Sequence, residues 1–156
     1  MNRQGDAIDI VIPVYNGYED IQLCMDSIRR HTDLNKHRVL LINDCSPDER
    51  IAPYLDAQAG ENIIVLHNEV NQGFSANVNK GMTYSDRDVV LLNADTIVTK
   101  GWVDKIQTCA YHSVRNATVT PLSNSATLCS VPVMCQDNPV PEHVTIDEYA
   151  ALIERC

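Results

Sequence analysis

Two aspartates at the ends of apolar runs are the residues best placed to do chemistry. Asp95 follows Val89-Val90-Leu91-Leu92-Asn93-Ala94, and Asp44 follows Val39-Leu40-Leu41-Ile42-Asn43. A hard carboxylate oxygen at Asp95 suits Mg2+ or Mn2+, ions that take one or two carboxylates together with phosphate oxygens. A carboxylate at Asp44 suits the ring N–H of a pyrimidine base, an imide donor flanked by two carbonyls. Each has a plainer alternative. Asn93 and Asp95 could form an Asx turn after a strand. Asp44 could start a turn whose Ser46 caps a helix. Gly73 either supplies a positive φ or lets the backbone approach a ribose or base. Asn77 and Asn79 occupy a helical stretch whose apolar positions lie elsewhere, and read as ligand contacts or as a solvated face. His31, His37, His67, His112 and His143 form no spaced cluster and read as structural or solvated, and Trp102 reads as core.

The elements that must carry these residues alternate in type. Apolar runs at 7–14, 39–42, 63–66 and 89–92 predict strands, the last one buried on both faces. Pro13 should mark the end of the first, since it cannot donate to a ladder. A helix is predicted from Tyr18 to Arg30, with Ile21, Cys24, Met25 and Ile28 on one face. Ser46-Pro47-Asp48-Glu49 reads as a capping box opening a short helix to about Ala59, interrupted or restarted near Pro53. Phe74, Val78 and Met82 at i, i+4 and i+8 mark the apolar face of the next helix. Trp102, Val103, Ile106, Cys109 and Ala110 mark another, and Ala117 to Thr120 predicts a short fifth strand. Strands alternating with helices predict a mostly parallel sheet with helices on both faces. Ligands of such sheets sit outside the carboxyl ends of the strands. Tyr15 and Asn16, Asn43 and Asp44, Asn68 to Gly73, and Asn93 and Asp95 all fall there. After Pro121 the chain is turn-rich, until Thr145-Ile146-Asp147-Glu148 opens a last helix, with Val144 and Tyr149 as a staple. The reading is one domain over 1–156, with 1–120 carrying the site and 121–156 beginning a region that is incomplete. A chain that stops inside a helix at Cys156 predicts a piece of a longer protein.

Bulk properties narrow the partners. The net charge is −9, from 12 basic and 21 acidic residues, which argues against nucleic acid. A single nucleotide remains open, because a metal and backbone N–H groups can hold it. Six cysteines show no CxxC pair. Cys24 and Cys109 fall on apolar helix faces, where a thiol acts as a small hydrophobe. No signal peptide precedes Ile8 and no apolar run nears the ~18 residues of a membrane helix. The expectation is reduced thiols, no membrane segment and a cytoplasmic location, with disulfides as the alternative. A dehydrogenase would want G-x-G-x-x-G after the first strand, which is absent. A phospho-acceptor signalling domain would want an acidic pair there, where Pro13-Val14-Tyr15 stands.

The order of these pieces resembles family 2 glycosyltransferases with the A-type, Rossmann-like nucleotide-sugar-binding fold. Four motifs carry the likeness, over about residues 7 to 125. Ile10-Val11-Ile12-Pro13-Val14-Tyr15-Asn16 resembles the opening strand, whose end lies against the base. Leu41-Ile42-Asn43-Asp44-Cys45-Ser46-Pro47-Asp48 resembles the motif whose first Asp contacts uracil or thymine. Asn71-Gln72-Gly73-Phe74-Ser75-Ala76-Asn77-Val78-Asn79-Lys80-Gly81 resembles the loop and helix near the nucleoside. Leu91-Leu92-Asn93-Ala94-Asp95-Thr96 resembles the Asp-x-Asp region, with Asn93 in place of its first carboxylate. The substitution should weaken metal affinity, because an amide oxygen has no net charge.

The resemblance implies an inverting glycosyltransferase of the polysaccharide-biosynthesis kind. Pro13, Tyr15, Asn16, Asp44, Gly73, Asn77, Asn93 and Asp95 would face a UDP- or dTDP-sugar, and Asp95 would hold Mg2+ or Mn2+. The acceptor, whether glycan, lipid-linked or protein, is not specified. The catalytic base is expected beyond Cys156, so this chain would be the donor half and inactive alone. The alternative is a nucleotide-sugar-binding module without catalysis.

Overall fold

Four strands form one sheet in the order β3-β2-β1-β4, with every neighbouring pair parallel. They are β1 (Asp9–Val14), β2 (Arg38–Asn43), β3 (Ile63–His67) and β4 (Val89–Leu91). Parallel neighbours need crossovers, and α1 (Tyr18–His31), α2 (Ile51–Gln58) and α3 (Phe74–Met82) provide them. The computed structural model describes residues 6–155; Cys156 lies outside them.

The central strands are apolar on both faces because both faces are covered. Val11, Leu40 and Ile42 share one face, with Ile64, Leu66 and Val89 packed against them. There α3 comes so close that a Cβ on Gly81 would lie 2.4 Å from Val11 Cγ1 and 2.8 Å from Ile42 Cδ1. On the other face Ile10, Ile12, Val39 and Leu41 are fully buried. The predicted face of α1, from Ile21 through Cys24 and Met25 to Ile28, is fully buried too. Cys24 is a buried hydrophobe as read: burial first, and the Asp95 charge second, push its thiol up to about 12.

Four local expectations are corrected. β4 is an edge strand and Leu91 is 48% exposed, so the run is not buried on both faces. The helix after β2 begins at Ile51, not at Ser46-Pro47. Ser46 is bound elsewhere: its Oγ accepts from Asn16 N–H and its own N–H donates to Asn43 Oδ1, each at 3.0 Å. Pro53 sits in the first turn of α2, where its missing N–H costs no helical bond. On α3 only Val78 of the predicted apolar trio is buried; Phe74 and Met82 are exposed, and Asn77 shares the inner face with Val78 and Gly81. Residues 117–120 form no strand, since β-propensity without a ladder partner and a covered face gives none.

The chain divides into two compact units, one spanning Asp6–Val98 and carrying the sheet. In the other, from Thr99, α4 (Trp102–Tyr111) buries Trp102 and Val103, while Cys109 is exposed rather than buried. The capping box of Thr145 and Glu148 forms as read and opens α5 (Ile146–Ile153). Lys105 of α4 pairs with Glu154 just beyond α5. Between these helices buried Asn138 donates to Ser130 Oγ at 2.8 Å and to the Val133 carbonyl at 2.9 Å. No described helix is long and apolar enough to cross a membrane.

Candidate functional site

The strand register delivers the polar clusters to one rim. Val14 pairs with Asn43, and Asn43 with His67, so Tyr15-Asn16, Asp44 and Asn68 leave the sheet side by side. Asn93 to Asp95 follow β4, whose Leu91 pairs with Val11. β2 and β4 flank β1, so Asp44 and Asp95 leave from strands about 10 Å apart, two inter-strand spacings. Pro13 is tolerated inside β1 for a local reason. Odd positions of β1 bond toward β4, as in Asp9 N–H to the Asp88 carbonyl and Leu92 N–H to the Val11 carbonyl. The missing donor of Pro13 faces the side on which β4 has already ended.

Asp44 is almost fully buried and holds the loop after β3 by three hydrogen bonds. Its Oδ1 accepts from Asn68 Nδ2 at 2.8 Å and from Gln72 N–H at 2.9 Å; its Oδ2 accepts from Gly73 N–H at 2.9 Å. Burial alone would raise its pKa, but these donors and the charge of Lys80 outweigh it and hold the carboxyl below the usual range. A carboxylate has about four acceptor positions, and these three bonds leave one on Oδ2. Neither sequence alternative anticipated that Asp44 shapes the 68–73 loop. Gly73 has φ +81° and nothing within 4 Å of where a Cβ would stand. It therefore supplies the positive φ, and the space beside its Cα is open.

Asn68 relays the Asp44 charge outward. Its Nδ2 also donates to Asn77 Oδ1 at 3.0 Å, and its Oδ1 accepts from Lys80 Nζ at 2.7 Å. Asn77 Nδ2 donates to the Ile42 carbonyl at 2.9 Å, so this side chain braces β2 from within. Asn79 is exposed. Sequence reasoning placed Asn68 on the rim but not its bond to Asp44, and it gave Lys80 no role in the site. The signal for Lys80 was its place three residues after Asn77, on the same helical face.

The first rim segment is braced as well. Asn16 has φ +59°, and its Oδ1 accepts from Asp48 N–H at 3.2 Å. Arg50 lies 4.3 Å from the Tyr18 ring centre and pairs with Glu19 at 2.8 Å and Asp48 at 2.7 Å, joining the start of α1 to the loop after β2. Tyr15 beside them is exposed.

The Asn93–Asp95 turn is built differently. Thr96 N–H donates to the Asn93 carbonyl at 3.1 Å, a backbone turn rather than an Asx turn. Asn93 and Asp95 are exposed, and no hydrogen bond or ion pair occupies the Asp95 carboxylate among the described residues. Those residues contain no cluster of three His, Cys, Asp or Glu able to hold a metal. One exposed carboxylate, with an exposed amide two residues before it, would suit a cation that brings its remaining ligands as phosphate oxygens and water.

The sheet resembles solved structures. S. aureus TarS 1-349 matches with a TM-score of 0.59 at 18% identity, covering 79% of this chain and 40% of that one. The mannosyltransferase PcManGT from Pyrobaculum calidifontis, in complex with GDP-Man and Mn2+, matches with a TM-score of 0.55 at 15% identity, covering 64% and 30%. The chain thus spans two fifths or less of these proteins, and likeness at such identity speaks for the fold. No curated protein matches the sequence. The glycosyl transferase family 2 model matches residues 9–119, the span that holds the sheet and every rim residue described above. With that match over most of its length and an A-type sheet, the chain belongs to glycosyltransferase family 2.

Proposed function

We propose that this chain is the donor-binding part of an inverting glycosyltransferase and grips a UDP- or dTDP-sugar together with Mg2+ or Mn2+. The observation that carries the reading is the pairing on one rim of an ordered loop with an unpartnered carboxylate. Asp44 fixes the 68–73 loop, and Asp95 stands open two strands away.

Tyr15, Asn16 and the Gly73 backbone would line the nucleoside, with the free acceptor position of Asp44 Oδ2 taking a pyrimidine N–H. Asn77 acts from beneath by bracing β2, and Pro13 stands near the end of β1, before Tyr15. Asp95, with Asn93 beside it, would hold the cation. When bound, that cation supplies positive charge for the leaving diphosphate. The acceptor hydroxyl would attack the anomeric carbon opposite the diphosphate and lose its proton to a carboxylate supplied outside these residues.

Isothermal titration with UDP and Mn2+ tests the reading. Binding should be seen with UDP and weaken when GDP replaces it, because a guanine presents a different edge to Asp44. No heat from a folded sample at about millimolar nucleotide, a bound worth roughly −4 kcal/mol, would count against the proposal. The substitution of Asn93 favours one second reading, a binding module without catalysis. An acidic motif further along the reading frame would decide for the enzyme.

A further inference from the structure

We propose that His67 is a positioning residue for the rim, acting through Asn43, and that protonating its ring loosens the turn that holds Asn16. The proposal rests on the donor-site reading above for its effect on nucleotide, but not for its effect on the turn. A row of hydrogen bonds runs from α2 across β3 and β2 to the loop after β1. Asp56 Oδ1 meets His67 Nε2 at 3.0 Å, and His67 Nδ1 meets Asn43 Nδ2 at 3.1 Å. Asn43 Oδ1 accepts from Ser46 N–H at 3.0 Å, and Ser46 Oγ accepts from Asn16 N–H at 3.0 Å.

The direction of every bond follows from one fact: a backbone N–H can only donate. Ser46 N–H therefore fixes Asn43 with its oxygen toward the turn and its NH2 toward His67. The ring must then offer a lone pair at Nδ1 and carry its proton on Nε2, where the Asp56 carboxylate accepts it. The neutral ring satisfies the whole row. A protonated ring sets Nδ1–H against the Asn43 NH2, two donors face to face. Turning the Asn43 amide repairs that contact but sets its NH2 against Ser46 N–H. Proton uptake thus removes one bond or the other, and Asn43, 5% exposed, has little water to replace it.

The ring is open to solvent on one side. The His67 side chain is 37% exposed, so a proton reaches it without unfolding. Asp56 is the titratable group α2 brings to the ring, 3.0 Å from Nε2. From β2 the ring meets Asn43, while Asp44, one residue on, directs its oxygens to Asn68, Gln72 and Gly73. Glu69, two residues along the chain from His67, offers its carbonyl to Cys45 Sγ.

The test uses amide NMR from about pH 8 to about pH 5, without nucleotide. The Ser46 and Asn16 amide signals should follow the His67 ring titration in the wild type. They should stay still in His67→Asn, whose oxygen can stand at the Nδ1 position and accept from Asn43. In Asn43→Asp, which can only accept, the sign should reverse, with the turn held best by the protonated ring. UDP affinity in Mg2+ should fall about fivefold more steeply with acid in wild type than in His67→Asn, the loss of one hydrogen bond. The comparison is needed because a terminal phosphate titrates near pH 6 itself. Wild-type amides that ignore the His67 titration would overturn the relay. Parallel affinity losses in wild type and His67→Asn would overturn its positioning role. Amides that follow the ring in a protein that never binds UDP would uphold the relay and sink the donor-site reading instead.

Discussion

The two ends of the sheet each bury an aspartate, and they neutralise it in opposite ways. At the amino end Asp9, 1% exposed, meets Arg38 through two bonds, Nε to Oδ1 at 3.0 Å and Nη2 to Oδ2 at 2.6 Å. Ser85 Oγ donates to Oδ2 at 2.7 Å, Arg87 lies 3.6 Å from Oδ1, and Arg38 stacks 4.7 Å from the Tyr84 ring centre. At the carboxyl end Asp44, 3% exposed, has no guanidinium. Neutral N–H groups hold it, with Lys80 one residue removed through Asn68. A planar guanidinium fork fixes a carboxylate in place, so Asp9 ties β1 to β2 and to the loop before β4. Backbone donors have no such independence: the loop must take the shape that lets Gln72 and Gly73 point at one side chain. The amino end uses its aspartate to hold strands together, and the carboxyl end uses its own to shape a binding loop.

Replacing each aspartate by alanine is the sharpest way to break this contrast. Asp9→Ala leaves a guanidinium without its partner and should cost about 3 kcal/mol, read as a shifted urea midpoint. Nucleotide affinity of the folded fraction should stay within about twofold, since the site is at the far end of the strands. Asp44→Ala should cost about 2 kcal/mol of stability, because its donors, one of them on buried Asn68, lose their acceptor. It should weaken UDP binding about a hundredfold or more, equivalent to about 2.7 kcal/mol. Equal affinity losses in both variants would erase the difference between the two ends.

Asp95→Asn comes next in size. The side chain is exposed and unpartnered, so stability should move by less than about 0.5 kcal/mol. UDP affinity in Mn2+ should drop about tenfold, and the metal-free affinity should not change. A loss independent of metal would assign Asp95 to the nucleoside instead.

The acid limb separates the role of Lys80. The folded-state pKa of Asp44 is depressed, so its contribution is fully present above the unfolded value of about 3.9 and is lost as pH falls through the folded one. Lys80→Met removes one of the influences that lower it. The acid loss of stability should then begin at higher pH, with a change at neutral pH of under about 1 kcal/mol. An unaltered acid limb would show that the backbone donors hold the charge unaided.

The strands and α1 were legible because burial leaves its mark in sequence as period and run length. Ile21, Cys24, Met25 and Ile28 needed nothing beyond that spacing. The α3 face was misread because its inner side is not apolar: Gly81 makes the close approach and Asn77 bonds to the Ile42 carbonyl, so the period of Phe74 and Met82 pointed outward. The Ser46 cap failed because a hydroxyl can serve only where its partner stands, and Asn16, thirty residues earlier, claims it. The rim was legible as a set of polar strand ends. The inward role of Asp44 was not, because the loop that donates to it lies twenty-eight residues away and shows no pattern of its own.

The most direct measurement of the central claim is amide shift mapping of the folded chain with UDP and Mg2+. Shifts should gather at Tyr15, Asn16, Gln72, Gly73, Asn93 and Asp95, and leave the Asp9, Arg38 and Ser85 end still. Shifts confined to the amino end of the sheet, or none at saturating nucleotide, would contradict a donor site on this rim.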